Sequence, residues 1–149
     1  MQACKPYFQN NESTIRGALK SKLLRRQAGE ADVLAIDELG LAPAKSRVDV
    51  AVFNGHLHGY KIKSAGENLL RLPAQLRTYS EALEKLTFVM ATRHISAEVG
   101  LILEWCDLIE IIEGPRGGIK LKMLRRSNLN PNVNLYIFAY FCGGRKRKN

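Results

Sequence analysis

Arg47-Val48-Asp49-Val50-Ala51-Val52-Phe53, then Asn54-Gly55-His56, then Leu57-His58-Gly59-Tyr60-Lys61-Ile62-Lys63-Ser64, read as two apolar-alternating strands around an Asn-Gly turn signal, a β-hairpin. The two-residue strand period puts Val48, Val50 and Val52 on one face and Asp49, Ala51 and Phe53 on the other. On the second strand Leu57, Gly59, Lys61 and Lys63 share a face, opposite His58, Tyr60 and Ile62. Turn length decides which residues meet. A two-residue turn sets Asp49 across from Tyr60. A three-residue loop that includes His56 sets Asp49 across from Lys61, because a slip of one residue flips every side chain. The three-residue loop, or a bulge of the same effect, is expected.

Upstream, Asn11-Glu12-Ser13-Thr14 looks like a capped helix start, with the helix running to about Ala28. Ile15, Ala18, Leu19 and Leu23 form its apolar face, and Arg16, Lys20, Lys22, Arg25 and Arg26 its basic one. Val33–Ile36 is a strand or the start of a helical turn. Downstream, Leu69, Leu72, Leu76, Tyr79, Leu83 and Leu86 recur at steps of three and four, a helix over 67–86. Pro73 belongs in a first turn, so the regular helix begins near Leu70–Leu72. Thr87–Ala91 reads as a buried strand, Ser96 to about Glu104 as a helix, Asp107–Ile112 as a strand and Ile119–Leu124 as an edge strand. Val133–Phe141 is a last strand or short helix. The order implies an α/β layer architecture.

The chain has 149 residues, enough for one domain with a real core. No apolar run approaches the roughly 20 residues that span a bilayer, so no membrane association is expected. No apolar segment follows Met1-Gln2-Ala3-Cys4-Lys5, so no signal peptide is expected and the default location is cytoplasmic. Cys4, Cys106 and Cys142 are far apart and odd in number, which argues for reduced thiols over disulfides or zinc. The formal net charge of +9 biases the chain toward nucleic acid, since Lys and Arg neutralise phosphates and release counterions. Glu113–Gly118 lacks the Gly-Lys-Ser/Thr ending of a P-loop. His56 and His58 lack a third metal ligand, and no serine sits in a nucleophile elbow.

The hairpin together with Leu70-Arg-Leu-Pro-Ala-Gln-Leu-Arg-Thr-Tyr79 resembles the PD-(D/E)XK nuclease superfamily. It is most similar to a small bacterial and phage family whose second strand reads His-Gly-Tyr-Glu-Ile-Lys-Ser. Glu38-Leu-Gly-Leu, Thr87-Phe-Val-Met and Arg93-His94 extend the resemblance over roughly residues 14–112. The resemblance implies a restriction-endonuclease-like core, a mixed central sheet flanked by helices. It implies one nuclease-like domain over residues 1–142, while the run Arg145-Lys146-Arg147-Lys148 reads by its charge as part of a basic flexible tail over 143–149. It implies a DNA nuclease in which a Mg²⁺- or Mn²⁺-activated water hydrolyses a phosphodiester. Glu38, Asp49 and the Ile62 carbonyl would hold the metal, and Lys63 would be the catalytic lysine. Gln75 and Tyr79 match a Gln-x-x-x-Tyr element near the site and DNA. Arg71 and Arg77 would contact phosphates.

Lys61 departs from that pattern, which calls for glutamate. At about 4 Å and an effective dielectric near 20, each unit charge beside a cation is worth roughly 4 kcal/mol, so metal binding is expected to weaken steeply. Lys61 is either an inactivating substitution in a nuclease or the mark of a natural pseudonuclease that binds without cutting. The retained surrounding pattern favours the first. DNA is the expected partner, with a non-catalytic nucleic-acid-binding module as the alternative and a protein-interaction domain third. Homo-oligomerisation is left open.

Overall fold

The computed structural model describes residues 12–26, 34–41, 46–98, 100, 102–116 and 118–134. The expected lead-in, Cys4, Cys142, most of the 133–141 segment and the 143–149 tail lie outside them.

Six strands form one mixed sheet in sequential order, β1 (Leu34–Leu41), β2 (Ser46–Phe53), β3 (Leu57–Lys63), β4 (Lys85–Ala91), β5 (Asp107–Glu113) and β6 (Ile119–Arg125). β1, β2 and β3 form an antiparallel meander. β3, β4 and β5 run parallel, and β6 returns antiparallel on the edge. Parallel neighbours need crossovers. These contain α2 (Leu72–Ala82) and α3 (Thr92–Glu98). α1 (Glu12–Arg26) precedes the sheet. Ile15, Leu19 and Leu23 of α1 pack on Val50, Val52, Ile62 and Val89. Leu72, Leu76, Tyr79 and Ala82 of α2 pack with Leu41, Val48, Leu57 and Phe88 in a second cluster, which Ile95 of α3 joins. The architecture is α/β, a mixed sheet flanked by helices.

The hairpin has the expected three-residue loop. Phe53 pairs with Leu57 and Val50 with Tyr60, leaving Asn54–His56 between the strands. Gly55 there has φ 95, a conformation that favours glycine. The expected common face for Val48, Val50 and Val52 is wrong, however. Val48 belongs to the α2 cluster and Val50 and Val52 to the α1 cluster. A regular strand puts residues i and i+2 on one face, so the pleat breaks at Asp49. Opposite it, β1 keeps one register from Asp37↔Val50 to Leu39↔Val48, but the pairing skips Glu38, which lies across from Asp49 at φ 52. A non-glycine residue with positive φ is uncommon and locally strained.

α2 begins at Leu72 with Pro73 in its first turn, as expected, but stops at Ala82. Asn130 Nδ2 donates to the Ser80 and Leu83 carbonyls, satisfying acceptors that a longer helix would have used. α3 starts at Thr92, directly after β4, rather than at Ser96. His94 is buried with Nε2 2.9 Å from the Ser64 carbonyl oxygen, a structural role. Cys106 is free and buried, and burial pushes its thiol up to about 12. Among the described residues no helix is long and apolar enough to cross a membrane.

Gly59 lies where two layers meet closely. A Cβ there would stand 2.8 Å from Leu83 Cδ1 and 3.0 Å from Val48 Cγ1, both on fully buried side chains. Gly59→Ala is therefore expected to destabilise the fold by about 1–3 kcal/mol through overpacking. A lower urea midpoint at unchanged slope would bear this out; an unchanged midpoint would show that Leu83 yields freely.

Candidate functional site

The pleat break frees groups that side chains take over. The regular β2–β3 pairing ends at Val50↔Tyr60, and the next N–H on that side, of Ile62, donates to Asp49 Oδ2 at 2.7 Å. Lys61 Nζ stands 3.6 Å from the same oxygen. On the other side, Arg16 Nη2 of α1 lies 3.9 Å from Asp49 Oδ1 and 3.2 Å from Glu38 Oε2, and it also binds Glu12. Arg47 Nη1 donates to Glu38 Oε1 at 3.3 Å. Asp49 and Lys61 thus meet, as the hairpin register implied, and Arg16 links Glu38 to Asp49. The sequence held a signal for that link: Glu12 and Arg16 are four apart, neighbours on one helix face.

The hydrogen bond from Arg16 holds Glu38 below the ordinary carboxylate range. Asp49 moves the other way. Burial raises its pKa, although Lys61 and the Ile62 N–H pull it down. Glu12, Glu38 and Asp49 face Arg16, Arg47 and Lys61, so each carboxylate is already engaged by a cation. A hard dication needs free carboxylate and carbonyl oxygens. The Mg²⁺ or Mn²⁺ implied for Glu38, Asp49 and the Ile62 carbonyl does not fit this donor set. Among the described residues no group of three or more His, Cys, Asp or Glu side chains is arranged to hold a metal ion.

Lys61 and Lys63 share the α2 side of β3. With Arg71, Gln75, Glu67, Asn68 and Gly66 they line a recess of about 280 Å³. Lys63 is only 6% exposed, and burial, then the Lys61 charge beside it, lowers its pKa. Glu67 is turned back on the loop, its Oε2 accepting the Ser64 N–H at 3.1 Å and hydroxyl at 2.9 Å. Gln75 Oε1 is buried with no hydrogen-bond partner among the described residues.

Two residues expected near nucleic acid are placed elsewhere. Tyr79 is fully buried and its hydroxyl donates to the Arg47 carbonyl at 2.8 Å, so it braces β2 and faces no ligand. Arg77 is exposed but lies six positions beyond Arg71, about 120° around the helix, off the recess.

No solved structure matches the chain. A family described as Bacteriophage P4 protein cII has a sequence model that matches residues 7–141. Protein cII of Enterobacteria phage P4 is 25% identical over 111 residues, 74% of this chain. The chain spans 42% of the length of that relative. These matches overturn the resemblance to the PD-(D/E)XK superfamily. With it fall the metal-dependent nuclease activity, the assignment as a hydrolase, and the account of Lys61 as the inactivation of an enzyme.

Proposed function

The chain belongs to the bacteriophage P4 protein cII family, and from that premise we propose that it is a nucleic-acid-binding domain that holds DNA without cutting it, through the recess at the end of β3. One observation carries this reading: Lys61, Lys63 and Arg71 line a single recess in which the one carboxylate among the described lining residues, Glu67, is engaged with its own loop. Lys61 has Asp49 as counter-charge, which leaves Lys63 and Arg71 in excess. Phosphodiester oxygens would supply the missing negative charge, and Asn68 and Gln75 would supply uncharged polar contacts. A chain charge of +9 adds a long-range attraction to the duplex. Phosphate contacts position a protein on DNA without reading its sequence, so no sequence preference is assigned.

We also assign the sheet to the restriction-endonuclease-like type, as a fold alone. The helix, the antiparallel meander and the two parallel crossovers support it. A fold does not fix the chemistry grafted onto it.

Fluorescence anisotropy with a labelled duplex across a salt series tests the DNA reading. Binding is expected to weaken steeply with salt. Lys63→Met with Arg71→Glu is expected to weaken it by roughly tenfold or more, and to flatten the salt slope by about one unit for each phosphate no longer neutralised. Absence of binding at low salt, or full binding by the doubly substituted chain, would overturn the reading.

A further inference from the structure

On the α1 side of the sheet, across from Lys61 and Lys63, a second cavity of about 220 Å³ opens at the amino ends of β3, β4 and β5. Its floor is polar and organised. Buried Thr87 places Oγ1 2.7 Å from His58 Nε2 and 3.4 Å from Asp107 Oδ2. Asp107 is buried too, and its Oδ1 accepts the Ser127 N–H at 2.7 Å and hydroxyl at 3.1 Å. Apolar side chains flank that floor within a lining that is otherwise polar: Leu19 and Leu23 of α1, and Ile109 and Met123 of the sheet.

The charges around this cavity do not balance. Lys22, Lys85 and Arg126 line it, and among the described lining residues only Asp107 opposes them. Asp107 lies 3.9 Å from Lys85 Nζ, while Lys22 Nζ donates to the Leu121 carbonyl at 3.2 Å. Burial, and then the Lys85 charge, lower His58 to about 4, so its imidazole adds no charge at neutral pH. Two positive charges remain in excess over a partly enclosed space of mixed polar and apolar lining.

We propose that this cavity binds a small phosphomonoester with a partly apolar body, a nucleoside monophosphate in size and charge. A phosphomonoester carries about −1.5 to −2 at pH 7, which matches the excess. A carboxylate or a phosphodiester carries one charge and leaves half of it unmet. The volume lies below the roughly 300 Å³ at which pockets for drug-sized ligands begin, so the cavity encloses one ring system and the phosphate stays at its rim. Its phosphate meets Lys22, Lys85 and Arg126 at the rim, and its ring system lies between the α1 leucines and Ile109. The site shares no lining residue with the proposed DNA recess, so either reading can fail without the other.

Isothermal titration calorimetry of the full chain tests this with adenosine and cytidine 5′-monophosphates, against adenosine, inorganic phosphate and a dinucleoside phosphate lacking a terminal phosphate. At least one monophosphate is expected to bind with Kd below about 1 mM, roughly tenfold or more tighter than each control. Arg126→Ala, at an exposed position, and Lys22→Met are each expected to weaken binding about tenfold, while Lys63→Met with Arg71→Glu leaves it unchanged. Failure of both monophosphates to bind would overturn the proposal, as would wild-type affinity in Arg126→Ala. Inorganic phosphate binding as tightly would remove the apolar body from it, and equal binding of the dinucleoside phosphate would remove the monoester.

Discussion

Tyr79→Ala is expected to destabilise the protein by about 3–5 kcal/mol, and Tyr79→Phe by about 1 kcal/mol. The ring is fully buried, tilted 60° against Phe88 with centroids 6.5 Å apart. Truncation to alanine removes its apolar contacts and leaves a cavity in a close-packed interior. Phenylalanine keeps the ring and loses only the hydrogen bond to the Arg47 carbonyl. Burial pushes the phenol above its ordinary pKa, so the hydroxyl remains a donor throughout the working range. Chemical denaturation of the two variants checks the difference. A residue touching DNA would behave oppositely: Tyr79→Phe would lower affinity and spare stability. That result would restore the DNA-facing role that its burial removes.

Asp49→Ala is expected to cost about 3 kcal/mol at neutral pH, within the range for breaking a largely buried ion pair from one side. The substitution strands the Lys61 ammonium and the Ile62 N–H and takes one partner from Arg16. Asp49→Asn, which keeps an oxygen for the Ile62 N–H, is expected to cost roughly 1 kcal/mol less. The pH dependence has a definite sign. Burial raises the Asp49 pKa above its ordinary 3.8, so between 3.8 and the raised value the folded chain holds more protons than the unfolded one. That carboxyl therefore favours folding increasingly as pH falls through the raised value, and the benefit is lost as pH rises. Stability measured from pH 7 to pH 4 should carry a component that Asp49→Asn abolishes. An identical pH profile in wild type and Asp49→Asn would place the carboxyl at its unfolded pKa.

The order of elements was legible because local signals agreed. Pro73 marked the first turn of α2, and the apolar run 87–91 marked a strand buried on both faces. Asn54-Gly55-His56 fixed the hairpin loop, and the register carried Asp49 to Lys61. The failures arose where distant residues decide. Val48, Val50 and Val52 alternate perfectly, yet Glu38 on the neighbouring strand turns the pleat between the first two. The cation network was hidden because Arg16 sits on another element, and a basic helix face gives no sign of which charge is consumed internally. The resemblance to the nuclease superfamily has a related cause. His58, Tyr60 and Ile62 answer to the needs of the sheet: Tyr60 and Ile62 pack beneath α1, and His58 bonds Thr87. A string of residues shaped by such duties resembles other strands under the same constraint without sharing their chemistry.

β2 sends Ala51 to one hydrophobic layer and Val50 and Val52 to the other, and the turn of the pleat at Asp49 adds Val48 to the first. The two layers therefore share one strand as a common wall. Peeling α1 away exposes half of β2, and removing α2 exposes the other half. Neither layer retains an intact boundary once its neighbour has gone, so the domain should melt in a single cooperative step, and the amides of β2 should exchange with solvent only through global opening.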